Sequence, residues 1–432
     1  MWLKHIEPKA VLLIAATLIV LIPFVLWWLL RLRRIIPLAV IQIFTGILLG
    51  PTILGHFAPE LHAVLFSGKQ LEGIRALAAI SICLFAFLAG TETDRDVIRS
   101  AGRAVMSIGV GGLTVTWLVG IVVGYQLAMR YPEAMGSDGG ILLFAIAFGL
   151  CNAVPALPVL AAVLGELGLN RRRVGAVALA AAAVGDIVLW GAMAVILPLA
   201  KSGDFKASLG LALAGGAGAM GLLILVINPL LGQALRTNAP ERVLMILVGI
   251  AIFGTAAITE ASGLHMVLGA YAAGVFLPDK IRHMAADKLD MPTSMLLLPF
   301  FFLSAGLDAR ISGSDTTVWT LFLAGMVVCT FVKVFATILA ARLGGENLAF
   351  GTMAGILLQT KGLMELVIVT VFRDIGLVSG QTYSALVLVA LASTALTMPL
   401  TKIFLPHLGE AMDRSGVRPK PAVANATRKH KT

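Results

Sequence analysis

Apolar residues in this chain come in long, nearly unbroken runs rather than with the period of an amphipathic helix or a half-buried strand. A helix needs about 20 apolar residues to cross the hydrocarbon core of a bilayer. On that scale thirteen segments stand out, at roughly 10–30, 36–55, 73–91, 103–129, 139–165, 174–200, 207–231, 241–260, 263–278, 291–307, 317–341, 348–371 and 380–405. The pattern predicts an all-α polytopic membrane protein of about thirteen transmembrane helices. One membrane domain is expected over residues 1–406 and a short basic tail at 407–432, with no soluble nucleotide-binding module. The first run has no small-residue cleavage site and leads directly into Arg31, Arg33 and Arg34, so it reads as a retained helix and not a signal peptide.

Composition sharpens this. Hydrophobic residues make up 59% of the chain and charged residues 13%, where a soluble domain carries about 25% charged residues. A soluble enzyme, a coiled coil and a disordered scaffold are thereby excluded. The net charge of +10 would suggest nucleic acid in a soluble protein. Sorted across alternate loops, however, 22 of the 33 Lys and Arg fall on one side and 9 on the other, with Lys333 and Lys361 inside segments. Basic loops mark the cytoplasmic side. The N-terminus is therefore expected outside and the C-terminus inside, with no nucleic-acid partner and with lipid around the helices. The compact form suggests a bacterial inner membrane. Cys83, Cys151 and Cys329 lie inside apolar runs, which argues against a disulfide framework or a zinc site, and no cofactor is expected.

Two motifs carry little. Gly216-Ala217-Gly218-Ala219-Met220-Gly221 matches a dinucleotide fingerprint but lies in a run of small residues with no preceding strand, which suits close helix packing. Asn425-Ala426-Thr427 is a glycosylation sequon on the tail expected to be cytoplasmic.

Ionisable residues at membrane depth are costly and therefore functional candidates. Asp186 sits near the middle of the sixth segment and Lys333 near the middle of the eleventh. Lys361 and Glu365 lie four apart in the twelfth, on one helix face. The competing reading of either pair is a static ion pair. Two stretches look like broken helices. Asn152-Ala-Val-Pro155-Ala-Leu-Pro158 places two prolines in an apolar run, each removing an amide donor and freeing a carbonyl one turn back. Leu358-Gln359-Thr360-Lys361-Gly362 puts polar residues and a glycine mid-membrane. Irregular backbone at that depth is tolerated only when buried in protein or lining a cavity. The break falls in the fourth segment of each of two five-segment blocks, segments 2–6 and 9–13. That placement suggests an inverted repeat with the site at the breaks.

Several stretches resemble a known family. They are Ile41-Gln-Ile-Phe-Thr-Gly46-Ile-Leu-Leu-Gly50-Pro51, the run from Pro158 to Leu169, and Ala-Ala-Ala-Val-Gly185-Asp186. To these add Gly263-Leu-His265-Met-Val-Leu-Gly269, Leu297-Leu-Pro-Phe-Phe-Phe-Leu-Ser-Ala-Gly306 and Thr360-Lys361-Gly362-Leu-Met-Glu365. In order and spacing, from about 36 to 405, they resemble the monovalent cation:proton antiporters of the sodium/hydrogen exchanger-domain superfamily. The nearest branch holds plant cation/proton exchangers and bacterial potassium-efflux relatives. The resemblance implies an elevator-type secondary antiporter with two crossed broken helices, a dimer with a mobile core. It implies that Asp186 binds proton and cation alternately, that Lys333 balances its charge, and that Lys361, Gly362 and Glu365 belong to the second broken helix. Where many members carry Asp or Asn before the aspartate, this chain has Gly185; where relatives place a threonine in the first break, it has Pro155.

The resulting expectation is exchange of Na+ or K+ for protons, with both ions competing for Asp186 and with Gly185 beside it. Carbonyls freed at Pro155, Pro158 and Gly362, with Asn152, Gln359 and Thr360 nearby, would replace part of the cation's water shell. A single carboxylate implies one proton per cation, an electroneutral cycle. The alternatives are a transporter of another substrate on the same scaffold (an organic cation, drug or weak acid) and a channel or sensor without antiport. An enzyme is not expected: no catalytic Ser/His/Asp set or His-rich cluster lies at membrane depth, and His265 stands alone.

Overall fold

The computed structural model describes residues 7–29, 38–66, 68–92, 102–138, 140–169, 172–200, 205–310 and 313–413. It is almost entirely helical. In chain order the helices are α1 (Pro8–Leu29), α2 (Leu38–Leu49), α3 (Gly68–Glu92), α4 (Arg103–Arg130) and α5 (Ile141–Ala153). There follow α6 (Leu157–Glu166), α7 (Arg173–Ala200), α8 (Gly210–Arg236), α9 (Glu241–Ala261) and α10 (Met266–Phe276). The last five are α11 (Asp279–Asp308), α12 (Thr316–Leu343), α13 (Leu348–Leu358), α14 (Leu363–Asp374) and α15 (Gly380–Asp413). Taking α5 with α6 and α13 with α14, each expected segment meets one described helix or broken pair.

Two boundaries differ from the sequence reading. The stretch 279–290, expected as a basic loop, is the first half of α11. Its charges hide an amphipathic helix in which Ile281 and Ala285 are buried and the buried Arg282 pairs with Asp279 at 3.1 Å. The last helix, expected to stop near 405, continues to Asp413. Arg31, Arg33, Arg34, Arg95, Arg99, Arg171, the sequon and the tail beyond 413 lie outside the described residues, so membrane orientation rests on charge distribution alone.

The packing partners obey an exchange rule. Pairing α2 with α10, α3 with α11, α4 with α12, α5–α6 with α13–α14 and α7 with α15 maps one set of contacts onto another. Thus α2 packs on α11 and α10 on α3; α4 packs on α5 and α12 on α13; α7 packs on α4 and α15 on α12. Counting crossings, α2 and α10 are seven segments apart and run in opposite directions, which makes the repeat inverted.

The closest contacts follow the same rule. An added Cβ at Gly46 would lie 2.8 Å from the Gly306 Cα, and one at Gly90 would lie 3.0 Å from the Gly274 Cα. Only glycine allows α2 to meet α11, and α3 to meet α10, at that separation. The helices fall into two groups: α1–α3 with α8–α11, and α4–α7 with α12–α15. In the first, α1 buries Val11, Ala15 and Ile19, a four-residue spacing that presents one face to α3 and α11. The second group holds both breaks. Four of the described helices carry a π-helical stretch, α8 and α11 in the first group and α4 and α12 in the second; those of α4 and α12, Ser107–Gly112 and Val327–Val332, each pack against the other helix. Such stretches are local rearrangements of the helical ladder, frequent at functional sites.

Candidate functional site

The first break follows from its prolines. Helix α5 ends at Ala153, and Val154, Pro155 and Ala156 are unwound before α6 begins. Pro155 cannot donate to the carbonyl of Cys151, and Pro158 cannot donate to that of Val154. Both carbonyls are buried, where an unmet acceptor is costly. One side chain meets both: the Lys361 ammonium donates to the Cys151 carbonyl and, at 3.0 Å, to the Val154 carbonyl. Lys361 is completely buried. Its charge sits at the C-terminal end of α5, the negative end of that half-helix.

The second break is opened by polar residues. Gln359, Thr360, Lys361 and Gly362 separate α13 from α14. The breaks touch through backbone, the Ala156 amide donating to the Thr360 carbonyl at 2.9 Å, while the Thr360 hydroxyl turns back to the Leu357 carbonyl. A Cβ at Gly362 would come 2.5 Å from Val159 Cγ2, so the absent side chain lets this break lie against α6. Glu365, in the first turn of α14, holds its carboxylate 3.5 Å from the Lys361 ammonium. The N-terminal end of a half-helix favours that negative charge.

These contacts amend two expectations. Lys361 and Glu365 do meet, but Lys361 lies in the unwound stretch and not on the helix face of Glu365. The carbonyls freed by the prolines are not open to a mobile cation here, because the protein's own ammonium occupies them.

The remaining candidates flank this crossing. Asp186 is buried, mid-way along α7. Beside it, Gly185 presents its bare face to the first break: an added Cβ would sit 3.3 Å from Leu113 Cδ1 and 3.4 Å from Pro155 Cδ. Lys333, directly after the π-helical stretch of α12, lines a cavity of about 10 Å³ with Gly109, Gly112, Pro155, Thr337 and Leu358. That volume is about the size of a single water. The Lys333 ammonium is buried with no hydrogen-bond partner among the described residues, so it does not close an ion pair with Asp186 in this conformation.

Asn152, fully buried at the end of α5, donates to the Phe148 carbonyl at 2.8 Å and leaves its Oδ1 unpartnered among the described residues. Gly325 of α12 makes room for it. Gln359 is fully buried with neither amide atom partnered among the described residues. Buried amides of this kind cost free energy unless water or an ion meets them.

Sequence reasoning missed two features. One is a tie between the helix groups: Asp308 of α11 bonds Arg75 of α3 and Arg373 of α14, each at 2.9 Å, and the Tyr383 hydroxyl of α15 donates to the Ala305 carbonyl at 3.1 Å. The spacing of these residues along the chain holds no sign of it. The other is a stripe of buried hydroxyls on α15, Ser393, Thr394, Thr397 and Thr401, whose three- and four-residue spacing could have flagged a polar helix face.

Two broken helices that cross, with a lysine in the crossing and a buried carboxylate beside it, give the chain the architecture of a polytopic membrane protein of the inverted-repeat kind. The chain belongs to the sodium/hydrogen exchanger transmembrane family, whose model matches residues 14–405. Cation/H(+) antiporter 15 of Arabidopsis thaliana is 31% identical over 377 residues, covering 85% of this chain and 45% of the plant protein. K(+)/H(+) antiporter 1 of Saccharomyces cerevisiae is 27% identical over 401 residues, covering 88% of this chain and 44% of its own length. This chain therefore spans about half the length of these two relatives. Na(+)/H(+) antiporter NhaS4 of Synechocystis is 26% identical over 420 residues, 93% of this chain and 99% of that protein. Among solved structures, the sodium proton antiporter MjNhaP1 of Methanocaldococcus jannaschii superposes with a TM-score of 0.59 over 94% of this chain and 99% of its own, at 12% identity. That similarity shows the fold.

Proposed function

We propose that the protein exchanges a monovalent cation, Na+ or K+, for protons across a membrane. The observation that carries this reading is Asp186, a carboxylate buried mid-helix next to a glycine that faces the first break. An uncompensated charge at membrane depth is costly, so a proton or a cation bound at Asp186 lowers the cost of moving the helices that carry it. Competition between the two for one group makes the exchange obligatory: the core helices move when Asp186 is neutralised by either and stall when it is not. Relatives named as Na(+)/H(+) and K(+)/H(+) antiporters support the substrate class.

The oxygen of Asn152 and the amide of Gln359 are the groups suited to replace part of the cation's water shell. Lys361 fixes the crossing, and Lys333 balances charge when the core changes conformation. With one carboxylate in the exchange and the Lys361–Glu365 pair closed on itself, one proton moves per cation and the cycle is electroneutral. The α4–α7 and α12–α15 group is the mobile part and the remaining helices the scaffold, through which two copies associate. The charge distribution supports an N-terminus outside and a C-terminus in the cytoplasm, and a bacterial inner membrane is the proposed location.

The test is cation-induced dequenching of a pH-sensitive dye in everted vesicles, run with Na+, K+ and Li+. Asp186→Asn should abolish the signal while the protein stays in the membrane. Persistent exchange in that variant overturns the assignment. A voltage-sensitive dye reads the stoichiometry, and a potential generated during turnover refutes electroneutrality.

A further inference from the structure

Lys361 raises a question that its side chain does not answer. Its backbone lies in an unwound stretch, and the residue is fully buried. An N–H and a C=O outside any helix, away from water, each need a partner. Both are met by one atom: the Lys361 amide donates to the Thr394 hydroxyl oxygen at 3.1 Å, and that hydroxyl donates to the Lys361 carbonyl. Thr394 lies on α15, 33 residues away in sequence, and is itself buried.

The other buried hydroxyls along this part of α15 behave differently. Ser393 donates to the Ala390 carbonyl, Thr397 to that of Ser393 and Thr401 to that of Thr397, all within their own helix. Thr394 alone of these four reaches across to a break. A hydroxyl can donate and accept at once, and a side chain with one small branch places it without filling the gap. Valine has the shape without the hydrogen bonds; serine has the hydrogen bonds without the methyl.

We infer that Thr394 is a positioning residue for exchange, acting through Lys361. It holds the residue 361 peptide so that the ammonium reaches the two carbonyls freed by Pro155 and Pro158, and so ties α15 to both breaks. No motif of the sequence points to it. The inference deepens the exchange reading and rests on it for its functional arm; a second arm is independent of transport.

The functional arm uses vesicles carrying Thr394→Val and Thr394→Ser at matched protein levels. Thr394→Val should lower the exchange rate at least about tenfold, the scale on which one unmet buried hydrogen bond acts, and should move the pH of half-maximal exchange. Thr394→Ser should stay within about threefold of the unaltered protein with its pH profile intact. The second arm is hydrogen–deuterium exchange of the purified protein, read on peptides covering residues 359–363. Thr394→Val should speed exchange there and Thr394→Ser should not, even if neither variant transports. Equal loss in both variants, or protection at 359–363 unchanged by valine, overturns the inference. If the unaltered protein exchanges no cation for protons, the proposed function fails while the deuterium arm still decides the role of Thr394.

Discussion

The two breaks stand at equivalent places in the repeat, yet they are made in opposite ways. The first, at 154–156, is apolar and is opened by prolines that take away donors. The second, at 359–362, is polar and is opened by a turn whose residues supply donors. Neither is satisfied alone. The carbonyls of Cys151 and Val154 would be orphaned without Lys361, and without them the Lys361 ammonium would be a buried charge left with its pairing to Glu365. A symmetric pair of proline breaks would leave acceptors unmet on both sides; a symmetric pair of polar breaks would bury two ammonium groups. The asymmetry lets two irregular stretches close on each other at membrane depth, where water cannot complete them.

The largest expected effect comes from removing the group that joins them. Lys361→Met leaves two carbonyls unmet and Glu365 without its cation, and breaking a buried pair in this way costs about 3–5 kcal/mol. The thermal midpoint of the purified protein in detergent should fall by many degrees and exchange should be lost. An unchanged midpoint would show that the crossing does not depend on the ammonium.

A smaller effect probes the first break from its own side. Pro155→Ala restores an amide that can bond the Cys151 carbonyl in competition with Lys361. Helix α5 then gains a hydrogen bond worth about 0.5–1.5 kcal/mol net, so the midpoint should hold or rise while exchange slows severalfold. If stability and exchange both fall sharply, the proline has a packing role beyond opening the helix.

The smallest is at Gly185. A methyl there meets Leu113 and Pro155 at 3.3–3.4 Å, tight but without backbone in the way. Gly185→Ala should leave exchange within about threefold in the vesicle assay, because the closer contact is with the tip of the Leu113 side chain, able to shift by tenths of an ångström. A complete loss would mean that the bare face of α7 is itself part of the ion's path.

Much of this was legible in the chain. Thirteen apolar segments, two interruptions and four intramembrane charges could be read directly because each has a local cause: segment length against bilayer thickness, proline chemistry, and the cost of a charge in hydrocarbon. The choice of charge partner was not legible. Lys333 was expected to balance the charge of Asp186; it lies in a cavity wall with Pro155 and Leu358, and its ammonium has no hydrogen-bond partner among the described residues. The amphipathic first half of α11 was also hidden, since its charged residues outweigh the apolar stripe of Ile281 and Ala285 that buries it.

The sequence by itself determined that the chain spans a membrane many times, that two of its helices break, and which carbonyls each proline would orphan. A proline acts on the residue four before it, so that consequence is local and readable. Only the tertiary structure decided what meets those carbonyls, because the donor lies 210 residues from one and 207 from the other. The same holds for Thr394, which resembles its neighbours on α15 until the fold lays Lys361 against it. Buried polar groups must find partners, and local chemistry says which groups are left over; the packing of distant helices says who answers them.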